Sequence, residues 1–333
     1  MKHDSHFRNA VVLGVAIVAT TLGSAGARAQ DAASWPDHTV ELISNNSPGG
    51  ATDILLRELA EGAKEITGQE FVVINRPGGN GATQMSAIAA AKPDGYTLGA
   101  VTLTHLTNMM TSLKGTFDES DFSNIVGLQT ESHLLVVNAD SPFQTFEQLH
   151  DAVAARGEPL VLAGAGAVNS AASIGAILSV KGAGVPFSWV SHQTSSEAMT
   201  AALGGHAEAA IALPSTAREF VDSGRMRALA VIGPESLPAY PGVKTVQDMG
   251  YDVFGDWQMY RGIYGPAGIP DDLRNRIADV LIEATESDRY QKYVETRGFT
   301  PSRVRPAEFD KMATDLKGLA ETAMIEAGIL PAK

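Results

Sequence analysis

The chain has 333 residues, 44% of them hydrophobic, with no cysteine and a formal charge of −13. The missing cysteine excludes disulfides, thiolate metal sites and a lipoprotein anchor, which needs a cysteine beside its cleavage site. The acidic balance argues against nucleic-acid binding and supplies no global field to draw in an anion, so an anion site must work locally, through backbone amides and hydroxyls.

Lys2 and Arg8 precede an apolar run, Ala10 to Leu22, broken only by Gly14, Thr20 and Thr21. Small residues follow, ending in Ala27-Arg28-Ala29. This is the pattern of a secretory signal peptide over residues 1–29, cut near Gln30. The run is shorter than the roughly 20 residues of a spanning helix, and no later stretch is long and apolar enough. Residues 1–29 carry three basic groups and one acidic group, so their removal takes the charge from −13 to −15. The expected product is exported and periplasmic, and about three hundred residues suit two domains.

Strand-like Thr39-Val40-Glu41-Leu42-Ile43 runs into Ser47-Pro48-Gly49-Gly50-Ala51-Thr52-Asp53 and then into helix-like Ile54 to Ala60. Proline and two glycines permit a tight turn and a close backbone approach. A helix N-terminus in that crook offers N–H groups and a positive dipole end to a carboxylate or phosphate. Asn46, Ser47, Gly50, Ala51, Thr52 and Asp53 are the first candidate site residues. Asp53 either caps the helix or meets a ligand amine.

The same alternation continues through Phe71-Val72-Val73-Ile74, the turn Asn75 to Gly81, a helix from Ala82 to Ala91, and a strand that ends in Thr102-Leu103-Thr104-His105. Strands alternating with helices predict an α/β chain with largely parallel sheets, whose ligands sit beyond the carboxyl ends of the strands. Thr102 and Thr104 therefore join the candidates. Farther on, strand-like Leu160 to Ala163 opens into Gly164-Ala165-Gly166-Ala167-Val168-Asn169-Ser170 and a helix, which repeats the chemistry of the first turn. Gly164, Ala165, Gly166, Asn169 and Ser170 are nominated there. The strand Pro186 to Val190 leads to His192-Gln193-Thr194-Ser195, giving His192 and Gln193.

PGGATD, NRPGGNGA and AAKPDGYTLG, taken in order, resemble the successive motifs of the Bug/TctC family, the solute receptors of tripartite tricarboxylate transporters. The likeness continues through SGRMRALAV, YPGVKT and GPAGIP and covers essentially the whole mature chain. The resemblance implies a two-lobed periplasmic-binding-protein clamp, a Venus flytrap, with each lobe a mostly parallel sheet flanked by helices and crossing segments between them. Lobe one would comprise residues 30–135 plus 257–333, and lobe two residues 136–256. Each lobe would donate a strand–helix turn to a carboxylate, through Gly50, Ala51 or Thr52 on one side and Gly166, Asn169 or Ser170 on the other. Two departures from the family pattern stand out. His192 to Ser195 replaces a Tyr-Lys-Gly-Gly-like turn, and Asn45-Asn46-Ser47 replaces an aromatic residue before the first turn. A ligand more polar than an aromatic acid follows, hydroxylated or with several carboxylates.

The expected function is capture of a small organic carboxylate and its delivery to membrane permease subunits, by a monomer without a cofactor. A sensor subunit feeding a two-component kinase is the alternative. An exported hydrolase is remote, because no nucleophile motif appears. His38, His105, His133, His150, His192 and His206 show no ligand spacing, so no metal is expected. Gly78-Gly79-Asn80-Gly81 lacks the dinucleotide spacing. Trp257 and Tyr260 either line the cleft or pack in a core. Amphipathic patterns over 270–289 and 306–327 predict outer helices.

Overall fold

The computed structural model describes residues 32–255, 257–297 and 299–331. The expected signal peptide lies outside them. The chain opens with β1 (Val40–Ser44), α1 (Ala51–Thr67), β2 (Phe71–Asn75), α2 (Ala82–Ala89), β3 (Thr97–Thr102) and α3 (Leu103–Met110). Then come β4 (Phe122–Glu131), β5 (His133–Asn138), α4 (Phe146–Arg156), β6 (Leu160–Ala165), α5 (Ala171–Ala176), β7 (Phe187–His192), α6 (Ser195–Leu203), β8 (Ala209–Ala212), α7 (Pro214–Asp222) and β9 (Met226–Ile232). The chain finishes with β10 (Met259–Pro266), α8 (Asp271–Ala284), α9 (Asp288–Arg297), β11 (Thr300–Val304) and α10 (Pro306–Glu326).

These strands form two sheets, ordered β11-β4-β10-β3-β1-β2 and β7-β6-β8-β5-β9. In the first, β2-β1-β3 is parallel and the rest antiparallel; in the second, β7-β6-β8 is parallel and the rest antiparallel. The expectation of mostly parallel sheets therefore holds for one side of each and is corrected for the other. Parallel neighbours need a helical crossover, which α1, α2, α5 and α6 provide. The strands beside the crossings lack one: β4 passes straight into β5 at Ser132, and β9 returns to β10 through a long connection. The boundary drawn at 135/136 falls inside β5, which pairs only within the second sheet.

Burial explains the local choices. On α1, Leu55, Leu56, Leu59 and Ala63 form one apolar face, fully buried with Leu273, Ile277 and Leu281 of α8 against the first sheet. Each such leucine contributes about 1.5–3 kcal/mol by leaving water. β5 reads as a continuous apolar run because both its faces are covered: Leu135 and Val137 pack toward α4, Leu134 and Val136 toward α6 and α7. A further core joins the two sheets. It gathers Ile43, Val101 and Leu103, then Ile174 and Leu178, then Trp257, Tyr260 and Phe309. Trp257 is fully buried and its Nε1–H donates to Ala171 O at 2.8 Å; Tyr260 packs edge-on against Phe309. Both aromatics take the core role rather than lining a cleft.

Candidate ligand-binding site

The sheet order locates the crevices. β1 lies between β2 and β3, and β6 lies between β7 and β8, so the order reverses at β1/β3 in one sheet and at β6/β8 in the other. Ligands of open α/β sheets bind beyond the carboxyl ends of strands at such reversals. Four turns stand there: those after β1, β3, β6 and β8.

The turn after β1 is knitted largely by its own side chains. Gly50 N–H donates to Ser47 O at 3.0 Å, Thr52 N–H to Asn46 Oδ1 at 3.0 Å, and Gly49 N–H to Asp53 Oδ2 at 2.9 Å. Of the three amides nominated for a carboxylate, Gly50 and Thr52 are thus engaged within the turn. Short polar side chains compete well for neighbouring amides, which sequence alone does not resolve. Among the described residues no protein acceptor meets the Ala51 N–H, at the first position of α1. Thr52 Oγ1 is held by Asn45 Oδ1 at 2.8 Å and Ser44 Oγ at 3.0 Å. Asp53 is buried and receives Arg57 Nη2 at 2.9 Å, Arg57 Nε at 3.1 Å and Asn75 Nδ2 at 2.8 Å. Burial pushes its pKa up, but the bonds from Arg57, Gly49 and Asn75 outweigh that and hold it below the usual carboxylate value. Its carboxylate is committed to Gly49, Arg57 and Asn75, and among the described residues no bond takes it to an amide of the first turn of α1.

After β3, Thr102 N–H donates to His105 Nδ1 at 3.1 Å, and His105 Nε2 lies 3.0 Å from Gln84 Oε1. Gln84 Nε2 in turn straps Ile43 O and Ala100 O at 2.8 Å each. Burial drives the His105 pKa down to about 4, so the ring is neutral. Thr102 therefore serves a buried network, and Thr104 is half-buried beside it.

The turn after β6 copies the first in backbone. Ser170 N–H donates to Ala167 O at 2.9 Å, and Ser170 starts α5 as Gly50 starts α1. Gly164 is a packing glycine: a Cβ there would sit 2.0 Å from the Trp189 ring. Ser170 Oγ donates to Ala165 O at 2.9 Å, and Gly166 N–H to His192 O at 2.9 Å. Asn169 reaches the first-sheet side, its Nδ2 donating to Thr111 Oγ1 at 2.8 Å, just past α3. Beyond β7, Gln193 N–H donates to Glu197 Oε2 at 2.9 Å, and Thr194 Oγ1 takes Glu197 N–H at 3.2 Å. This reciprocal cap uses the donors of that loop internally. His192 Nε2 is buried without a partner among the described residues.

A cavity of about 180 Å³ lies between the turns after β1 and β8. Gly49, Ala51 and Ile54 line it from one side, Leu213, Ser215 and Thr216 from the other, and Arg261, Tyr293, Arg297 and Phe299 complete it. No residue of 164–170 lines it, nor do Thr102, Thr104, His192 or Gln193. Arg261 is 5% exposed, with Nη1 3.0 Å from Glu131 Oε2. Ser215 Oγ donates to the other Glu131 oxygen at 3.2 Å. Burial raises the Glu131 pKa against the pull of Arg261 and Ser215. Larger hollows of about 740 and 640 Å³ follow α10 and β11, but their charged linings are all exposed and none of the glycine turns enters them. Sequence reasoning missed Ser215, Thr216 and Arg261. The signal for the first two was present: apolar Ala209 to Ala212, then Pro214 at a helix start followed by two hydroxyls.

Two mixed sheets with helix N-termini turned into their crevices define a two-lobed binding-protein clamp. The chain belongs to the tripartite tricarboxylate transporter family receptor family, TctC, whose model matches residues 55–328. It is 28% identical over 303 residues to the UPF0065 protein in the gbd 5' region of Cupriavidus necator, covering 91% of each chain. In structure it is similar to a TctC solute-binding protein from Polaromonas, with a TM-score of 0.75, 22% identity, and coverage of 86% of this chain and 99% of that one. It is also similar to a Rhodopseudomonas palustris protein solved with adipate, with a TM-score of 0.73, 23% identity, and coverage of 88% and 98%.

Proposed function

We propose that this protein is an exported receptor that captures a small organic carboxylate between its two lobes and hands it to a tripartite tricarboxylate-type permease. The observation that carries the reading is the cavity itself. An open helix amide at Ala51, the Thr216 hydroxyl and the buried Arg261 line one space in a strongly acidic chain, with the Ser215 hydroxyl donating to Glu131 at its wall. Local donors of this kind bind an anion where the global field opposes it. The ligand of the Rhodopseudomonas palustris neighbour, adipate, belongs to the same chemical class.

The proposed site uses the turn after β1 and the turn after β8. The turn after β6 acts as a latch through Asn169 and Thr111, and closure buries the ligand in a shape the permease reads. Capture and release leave the ligand unchanged. A thermal-shift screen over mono-, di- and tricarboxylates, amino acids and sugar acids tests the reading, because a ligand that binds the folded state raises its melting point. Stabilisation by carboxylates supports it. A screen in which neutral sugars stabilise the protein and no acid does refutes it. Amino-terminal sequencing of periplasmic material, with a start near Gln30, tests the export route.

A further inference from the structure

A buried amide stands where the first sheet divides. β1 and β3 pair in parallel only from Glu41 opposite Thr97 to Ile43 opposite Gly99. Beyond that point β1 stays with β2 as far as Ser44, and β3 stays with β10 as far as Thr102, so the two strands part at the reversal that opens the crevice. Gln84 of α2 bridges the parting. Its side chain is fully buried, and its Nε2 donates to Ile43 O and to Ala100 O, one on each strand, at 2.8 Å. Carbonyl oxygens only accept, which fixes the orientation of the amide. Oε1 therefore accepts, from the Tyr264 hydroxyl at 2.9 Å and from His105 Nε2–H at 3.0 Å. That assigns the His105 proton to Nε2 and leaves Nδ1 to take the Thr102 N–H. Gly99 clears the space: a Cβ there would stand 3.0 Å from Gln84 Nε2 and 2.9 Å from Tyr264 Cε1. Both donors of the Gln84 amide and both lone pairs of its oxygen are used. A buried polar network so fully satisfied holds one arrangement of the groups it joins.

We infer that Gln84 is a positioning residue for ligand capture: it sets the gap between the ends of β1 and β3 and, through β1, the place of the Ala51 amide. The inference rests on the proposed function. Ile43, which Gln84 holds, precedes Ser44. Ser44 Oγ takes the Asn46 N–H at 3.0 Å and lies 3.0 Å from Thr52 Oγ1, and Asn46 Oδ1 takes the Thr52 N–H beside Ala51. The turn after β1 thus hangs from the residue next to the bridged one. Gln84 does not line the cavity, so its effect on binding is indirect.

Calorimetry and amide NMR on the purified protein test this, with butyrate, succinate and citrate as probes. Gln84→Met keeps the length of the side chain and removes its bonds. Leu149→Ala, in the buried core under α4 of the second sheet, is the control for lost stability alone. The wild type should bind at least one probe. Folded Gln84→Met should bind that acid about tenfold or more weakly at unchanged stoichiometry, with the Ala51 amide signal displaced before any acid is added. Leu149→Ala should melt lower and bind as the wild type does. Where Gln84→Met does not fold, Tyr264→Phe serves: it removes one bond to Oε1 and should weaken binding about threefold. Wild-type affinity in folded Gln84→Met, or in Tyr264→Phe where that variant stands in, overturns the inference and leaves carboxylate capture standing. So does an equal loss of affinity in Leu149→Ala. A wild type that binds none of the three acids overturns both.

Discussion

Gly50→Val tests the first turn most directly. A Cβ at Gly50 would stand 2.6 Å from Asn46 Cβ and 3.0 Å from Asn46 Oδ1. Carbon atoms settle at about 3.5–4.0 Å, so Asn46 must retreat by about 1 Å. That retreat pulls Oδ1 from the Thr52 N–H, now 3.0 Å away. One lost hydrogen bond costs about 1 kcal/mol, and overpacking costs about 1–3 kcal/mol more. The sum, about 2–4 kcal/mol, is smaller than the stability of most folded domains, so the variant should fold and melt about 5–10 °C lower. Binding should suffer more. The valine methyls crowd the approach to the Ala51 amide, whose charge-assisted bond to a carboxylate is worth about 1.5–3 kcal/mol, a loss of about ten- to hundredfold in affinity. Calorimetry with the acid that best stabilises the wild type reads this, with circular dichroism to confirm folding. Unchanged affinity in a folded Gly50→Val protein refutes the placement of the cradle.

Asn169→Ala removes the bond to Thr111 and should lower stability in urea by about 1 kcal/mol; no change means that the latch is not formed in solution. Asp53 has a folded-state pKa below its unfolded one, so its stabilisation is full above the unfolded value and is lost as pH falls through the folded value. Wild type should therefore lose part of its urea midpoint on acidification below about pH 4, a loss that Asp53→Asn, weaker at neutral pH, does not share. His105 and His133 shift in the same direction, here because of burial, each from 6.5 down to about 4, with Arg261 adding to the shift of His133. Between those values the unfolded chain binds protons that the folded one refuses, so stability should fall on acidification by up to about 2.7 kcal/mol per pH unit for the two together. His133→Gln should about halve that slope, and an unaltered slope excludes His133 as a source.

The fold was legible where local pattern and final environment agree. The passage from Thr39-Val40-Glu41-Leu42-Ile43 through Pro48-Gly49-Gly50 into α1 changes period from two to 3.6 across a turn. The turn after β6 repeats that signature, and its backbone repeats the geometry. Strand direction beside the crossings was not legible. β4 and β5 are separated by Ser132 alone yet lie in different sheets, and no local signal marks the change. β8 is four residues of alanine and isoleucine, too short and too small to stand out from a helix. Asp53 reads from sequence as a cap before a contact for a ligand amine, and neither reading contains Asn75, the partner that arrives from the next strand.

The part of the site that escaped the sequence is the part made by distance. Arg261 stands inside an apolar strand, Met259 to Pro266, and becomes a buried charge only because Glu131 arrives beside it from 130 residues away. Ser215 gains its partner in the same way. The resulting network suits an acidic protein. Arg261 and Glu131 cancel as charges, so the pair adds nothing to long-range attraction, and what remains is a set of directed N–H bonds at short range. Selectivity in such a site comes from geometry and from which donors go unmet by the wrong ligand, not from charge count. The Ala51 amide starts α1 beside the first sheet, Arg261 lies on β10 of that sheet, and Thr216 follows β8 of the second. Under the proposed function a ligand that meets all three requires the two sheets together, so affinity and closure form one equilibrium, and an acid too short to reach both sides should lose both.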